Sequence, residues 1–293
     1  MRRPLLRSGT AIRSAPAPSR DGGREALLQE REVRLTAQRI LQLHLHPGQD
    51  PDRTQPSFWH DLDLDLTGAT LIDFSLHGCA VATATFDGAT FTGDAWFRGA
   101  TFTGNAGFRR ASFAYYAEFD ETTFTGDAGF GGATFAGDAG FGEATFTGDA
   151  EFHRATFTGD AGFDMATFTA YAKFTGATFA RKAIFNGATF MSSAWFGWVT
   201  FRHAWFAGTT FTSGVLFNKA TFAGNVLFDR AIFDGDAHFG LANFTGDAEF
   251  DGATFDGNAE FVGATRKGLA FDPTTHAALP PDEAPPGLEG GAP

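Results

Sequence analysis

From Leu66 onward, one large apolar residue returns every five positions: Leu66, Leu71, Leu76, Val81, Phe86, Phe91. A second apolar residue sits two positions before each: Leu64, Ala69, Phe74, Cys79, Ala84, Ala89. After Phe91 the step alternates between six and five, through Phe97, Phe102, Phe108, Phe113, Phe124, Phe135, Phe146, Phe157 and Phe168, as far as Phe261. The repeated unit is therefore eleven residues, typified by residues 144–154, ATFTGDAEFHR. This step fits neither the 3.6-residue period of a helix nor the two-residue period of a long strand. It fits a short extended piece followed by a corner. Residues two apart share a face of an extended segment, so Ala and Phe point inward while the Thr or Glu between them points out. Gly and Asp or Asn, which tolerate turn dihedrals, make the corners.

The unit resembles the pentapeptide-repeat family, whose central Leu or Phe follows a small residue by two positions. Here the pairs are Ala89/Phe91, Ala95/Phe97, Ala100/Phe102 and so on to Ala259/Phe261. The resemblance implies an all-β fold, a right-handed quadrilateral β-helix with four units per coil. The alternate six-residue steps depart from the family pattern. Four faces with steps of 5, 6, 5 and 6 make a 22-residue coil whose longer steps fall at two diagonally opposite corners. Phe201 to Phe206 is shortened to five, yet Phe211 to Phe217 resumes the alternation. About nine coils at ~4.8 Å each predict a rod about 40–45 Å long. Stacked Phe columns beside Ala columns would fill it.

The repeats are expected over residues 61–271, with Leu269 and Phe271 as a final cover. Residues 1–23 and 272–293, rich in Pro and Gly, are expected to be disordered. Residues 24–46 carry an apolar pattern (Leu27, Leu28, Val33, Ala37, Ile40, Leu41, Leu45) that predicts an amphipathic helix, stopped by Pro47-Gly48. A solenoid end needs cover, so the helix is expected to cap the first coil, with residues 47–60 as the loop between.

Composition narrows the function. Phe occurs 36 times and Gly 37 times in 293 residues, the bias of a copied unit. The net charge of -12 sits on the repeats, while the first 56 residues are basic. An acidic rod repels nucleic acid and attracts proteins with basic surfaces. The single cysteine, Cys79, allows no disulfide framework. No stretch reaches the ~18 apolar residues of a membrane helix, and the N-terminus lacks the apolar run of a signal peptide, so a cytoplasmic protein is expected. Eight scattered histidines, scarce serines and glycines confined to turns predict no catalytic residue, metal or cofactor.

Three outward features are candidates for function. The corner residues form two columns, with acids at Asp94, Asp138, Asp160 and Asp247 in one and Asp127, Asp149 and Asp236 in the other. They read either as a ridge mimicking DNA phosphates, as cation sites, or as turn chemistry alone. Thr-Phe-Thr segments such as Thr101–Thr103 and Thr123–Thr125 stack on one face. That array resembles ice-binding β-helices but also suits any strand. Between residues 184 and 227, outward positions turn apolar: Ile184, Trp195, Trp205, Leu216 and Leu227, with Trp198 and Met191 nearby. Such stripes mark contact surfaces, for a partner or a second copy, unless the helix or the tail covers them.

These features predict a non-catalytic protein-interaction scaffold. In its most specific form, the family resemblance implies an acidic DNA mimic that binds a type II topoisomerase. The Pro/Gly-rich tail does not suit the C-terminal dimerisation helix of such mimics. Val33–Cys79 also resembles the entry into the repeats of larger bacterial members, which implies a membrane-associated scaffold as the alternative.

Overall fold

In the computed structural model, residues 20–48 and 55–273 are described; the expected N-terminal arm up to residue 19 and the tail from residue 274 lie outside them. The repeats wind into a right-handed four-sided β-helix of about nine coils. Face 1 contains Thr90–Phe91, face 2 Ala95–Trp96, face 3 Thr101–Phe102 and face 4 Ala106–Gly107, each a two-residue strand. Each strand pairs in parallel with its counterpart one coil on. Phe113 thus lies over Phe135, and Ala128 over Ala150, 22 residues apart. The first coil is tighter, pairing Leu64 with Ala84, because its corners lack the sixth residue.

The alternation inferred from spacing is realised throughout. Phe91, Phe102, Phe113, Phe124, Phe135, Phe146, Phe157 and Phe168 are at most 1% exposed. Rings within a column stack face to face: Phe157 lies 4.7 Å from both Phe135 and Phe179, with interplanar angles of 0° and 1°. Adjacent columns meet edge to face, as Phe141 and Phe152 do at 5.3 Å and 90°. Offset stacks and edge-to-face contacts are both favourable aromatic geometries, and the Ala columns leave the room they need. Two positions of the Ala columns hold buried Thr instead. Thr122 and Thr209 donate their hydroxyls to Phe97 O and Phe185 O, each at 2.7 Å, so neither is unsatisfied.

The corners follow two designs. At the five-residue corners one residue is left-handed: Gly99 has φ 63°, and Arg110, Glu121 and Trp198 take the same conformation at φ 54–58°. At the six-residue corners glycine answers a close approach instead. A Cβ on Gly148 would come within 2.5 Å of the Gly126 carbonyl carbon one coil away. The shortened coil changes this scheme locally. Strands Thr178–Ile184 and Thr200–Trp205 run without a break around the corner from face 1 to face 2. Their register slips between Phe179 and Lys182, so that Lys182 pairs with His203 and the extra residue of the upper coil is absorbed there.

Helix α1 spans Arg20–Leu45. It starts before the predicted residue 24, because periodicity reports only an apolar face and residues 20–23 carry none. It lies on the first coil. Gln38 is 8% exposed and pairs twice with Ile72, its amide donating to the carbonyl at 2.6 Å and its oxygen accepting the N–H at 3.0 Å. Gln38 thus completes the free strand edge as a neighbouring coil would. Leu45 is fully buried and Leu41 packs against the core. The predicted apolar face is corrected here: Leu27, Leu28, Val33 and Ile40 are 45–69% exposed, and Ala37 is exposed too. The coil edge needs hydrogen-bonding partners as well as apolar cover, so the docked stripe is the mixed one.

At the other end Thr265–Arg266 pairs antiparallel with Leu269–Ala270. Phe271 covers the last coil, its ring 5.1 Å from Phe244. Leu269, expected to share this role, is 74% exposed, since it faces outward from a two-residue strand.

Candidate interaction surface

The corner acids first serve the backbone. Asp138 Oδ1 accepts the N–H of Asp160 at 2.8 Å, and Asp127 Oδ1 accepts that of Asp149 at 3.0 Å. Asp94, Asp149, Asp160 and Asp236 do the same for Tyr116, Tyr171, Lys182 and Asn258. Each corner is thereby tied to the next coil, which is why Asn105 and Asn225 substitute freely in these columns. Several acids also hold cations. Asp149 meets Lys173 at 2.8 Å, Asp160 meets Arg181 at 3.1 Å, and Asp247 meets Lys267 at 2.8 Å and Arg266 at 3.3 Å. The two cations hold the Asp247 carboxyl below its ordinary range. Asp127, Asp138 and Asp236 remain exposed.

The apolar interval is divided between two opposite faces. On face 2, Gly162, Ile184, Trp205, Leu227 and Glu249 form one outward column in register. On face 4 the column runs Lys173, Trp195, Leu216, His238. Trp198 joins neither: it projects, 60% exposed, from the left-handed corner between faces 4 and 1. Helix α1 bonds to Thr70, Ile72 and Ser75 of the first coil, so it does not cover these residues. Each tryptophan is met by a lysine: Lys173 lies 5.9 Å from Trp195, Lys182 5.1 Å from Trp205, and Lys219 5.0 Å from Trp198. Such cation–π pairs contribute roughly 0.5–1 kcal/mol at exposed sites. The small core positions also change here, to Val199, Val215 and Val226, all fully buried. The ring spacing at Phe201 opens to 5.0 and 5.4 Å.

Two features of this interval escape the periodic reading. His203 occupies the corner column between Lys182 and Asn225, its Nδ1 accepting the Asn225 N–H at 3.3 Å; the shortened corner hides it from spacing. The second was readable from charge alone: no Asp or Glu occurs between Asp164 and Asp229, a run holding Lys173, Arg181, Lys182, Arg202 and Lys219.

Elsewhere outward residues interlock across coils. Arg109 crosses the coil bearing Gly129 to reach Glu151, two coils on, at 3.0 Å. The Thr face is in register as expected, with Thr101, Thr123, Thr145 and Thr167 in one column. Among the described residues no group of three or more His, Cys, Asp or Glu could hold a metal. Besides His203, His44 stacks on Trp59 at 4.1 Å and His238 pairs with Glu260 at 2.9 Å. Among the described residues no helix is long and apolar enough to cross a membrane.

A family profile described as pentapeptide repeats (9 copies) matches residues 66–112, 108–156, 152–198, 174–221, 199–241, 217–265 and 228–275. Among solved structures the chain is similar to HetL, a pentapeptide repeat protein involved in heterocyst differentiation regulation from the cyanobacterium Nostoc sp. strain PCC 7120. Identity is 17%, covering 72% of this chain and 93% of that one, with a TM-score of 0.25. A likeness at that score carries no argument about function. No curated protein sequence matches the chain.

Proposed function

Because the chain belongs to the pentapeptide-repeat family, with repeats over most of its length, we propose that it is a non-catalytic scaffold that binds another protein through the outward side chains of residues 184–227. The observation that carries this reading is the tryptophan-bearing interval itself. The buried Phe and Ala columns hold the rod together, and neither column needs Trp195, Trp205 or Leu216 to fill it. The same outward positions carry Glu118, Gly140 and Gly162 before the interval on face 2, Gly129, Glu151 and Lys173 before it on face 4, and Glu249 and His238 after it. Trp96 is the one earlier tryptophan in these columns among the described residues. Large apolar groups held partly in water by a rigid support are characteristic of contact surfaces. Photo-crosslinking in cells, with a benzophenone amino acid at position 205 or 195, tests it. Discrete protein adducts are expected there and not from position 145 on the Thr face. Equal labelling from all three positions would remove the proposal.

The finer reading, mimicry of DNA toward a topoisomerase, draws support from the net charge of -12 and from the exposed corner carboxylates of Asp127, Asp138 and Asp236. It is weakened by the hydrogen bonds and ion pairs that occupy many corner carboxylates, and by the run without acids that interrupts both columns.

A further inference from the structure

We infer that the face 1–face 2 corner and the adjoining face 2 column, from Arg181 to Leu227, form a docking surface for an acidic polypeptide; this rests on the scaffold reading and adds the chemistry of the partner. Down this corner column the residues are Asp94, Tyr116, Asp138, Asp160, Lys182, His203, Asn225 and Asp247. Asp94, Asp138, Asp160, His203 and Asn225 each accept the next coil's N–H. An ammonium has no lone pair to offer, so Lys182 forfeits that bond. The preceding residue is Gly at 93, 137, 159, 224 and 246, and Arg at 181. Two cations therefore stand where the repeat usually places Gly-Asp, and the backbone bond that an Asp or Asn makes at this corner is lost with them. Departures from a local rule are expected at functional sites.

Their neighbours share the same character. Lys182 Nζ lies over the Trp205 ring at 5.1 Å, and Ile184 and Leu227 flank Trp205 in the column. Arg202, exposed beside them, makes no ion pair among the described residues. Arg181 reaches Asp160 but stays 64% exposed. The absence of carboxylates from residue 165 to residue 228 removes every nearby acid on the same coils. A cationic, tryptophan-centred patch on an otherwise acidic rod selects a partner that presents carboxylates around an aliphatic or aromatic side chain.

The geometry favours polypeptide over nucleic acid. The patch is about three coils, roughly 14 Å, along the rod. Asp160 bounds it on one side, and Asp247 and Glu249 on the other. A phosphate chain following the rod would run onto carboxylates at both ends. A peptide needs only a few residues to engage the three cations and Trp205. A single tryptophan between Ile184 and Leu227 also offers aliphatic contact rather than a row of stacking platforms.

The test uses the full chain and three fluorescent probes: a random Glu–Tyr copolymer, polyglutamate and a twelve-nucleotide oligo-dT, with binding read by anisotropy. The Glu–Tyr copolymer should bind best. Arg181→Glu with Lys182→Glu should weaken it at least tenfold, Trp205→Ala several-fold, and Arg202→Gln about threefold. Arg110→Glu with Arg154→Glu, an equal charge change at corners of other coils, should leave it unchanged. Circular dichroism melting confirms that each variant is folded, and Arg202→Gln keeps the test open should the double variant not fold. Equal loss in both double variants, tighter binding of oligo-dT, no copolymer binding by the folded chain, or self-association abolished by the same variants would each overturn the inference. Retained crosslinking from position 205 in such a case would spare the scaffold; loss of both would remove it as well.

Discussion

At the scale of the residue, a phenylalanine here contributes through two kinds of ring contact at once. Phe157 is 1% exposed, stacked between Phe135 and Phe179 and edge-on to Phe163 at 6.1 Å and 79°. Truncation removes the transfer free energy of the ring and leaves a void that a regular stack cannot collapse, because neighbours are held by the strand register. Phe157→Ala should therefore lower stability by about 3–5 kcal/mol, measured by chemical denaturation. A loss below about 1 kcal/mol would contradict the inward assignment. This much was legible in the sequence: the side chain two residues from Ala155 on an extended piece must share its face. The hydroxyls of Thr122 and Thr209 were not legible as core, since only the coil geometry puts Phe97 O and Phe185 O within reach.

At the scale of the element, helix α1 and the first coil depend on each other. The buried Cys79 thiol reports on their contact: its Sγ donates to Gln42 O of the helix at 3.7 Å, and burial raises its pKa from 9.0 to about 12. The neutral thiol is favoured in the folded state, so the contribution to stability is full below pH ~9 and lost as pH rises from there through about 12, where the unfolded thiol ionises first. At pH 8 a disulfide reagent should label the native chain at least ~100-fold more slowly than the denatured one. Gln38→Ala, which removes both bonds to Ile72, should restore much of that reactivity; labelling of the variant at the native rate would show that the helix does not depend on those bonds. Periodicity found the helix and, in Leu41 and Leu45, the apolar end of its docked stripe, but Leu27, Leu28, Val33, Ala37 and Ile40 face away and Gln38 docks in their place. Amphipathic spacing ranks apolar faces only, whereas a bare strand edge is best completed by an amide.

At the scale of the molecule, charge is distributed unevenly along a rod of nearly constant cross-section. Acidic coils lie on both sides of a run of three coils without a carboxylate. A duplex mimic needs regular negative charge over its length, and the run between Asp164 and Asp229 breaks it midway. The DNA-mimic reading predicts that the purified chain inhibits or protects a bacterial type II topoisomerase in a supercoiling assay at micromolar concentration. The charge distribution leads us to expect no effect; clear inhibition that persists in Arg181→Glu with Lys182→Glu would restore mimicry as the leading reading. The scaffold reading instead places the contact at the interruption, on Trp205 and its cations.

Much of this protein follows from its sequence alone. The inward set, the shortened corner at Phe201–Phe206 and the apolar interval from Ile184 to Leu227 derive from spacing, because side-chain direction alternates locally and the corners are short; the 22-residue coil adds to that spacing the four faces that the family resemblance implies. Even the missing acids could be counted in advance. Tertiary structure decided whatever depends on how coils register and close. It placed Trp198 apart on its own corner, put His203 into the column that Lys182 interrupts, and spread the corner carboxylates over backbone bonds and ion pairs. It also laid Arg109 across Gly129 to Glu151 and gave α1 its docking face. These contacts join residues a full coil or more apart in sequence, or join the helix to the first coil. No local period carries that information; only the stacking of complete coils, and the edge they leave open at the start, determines it.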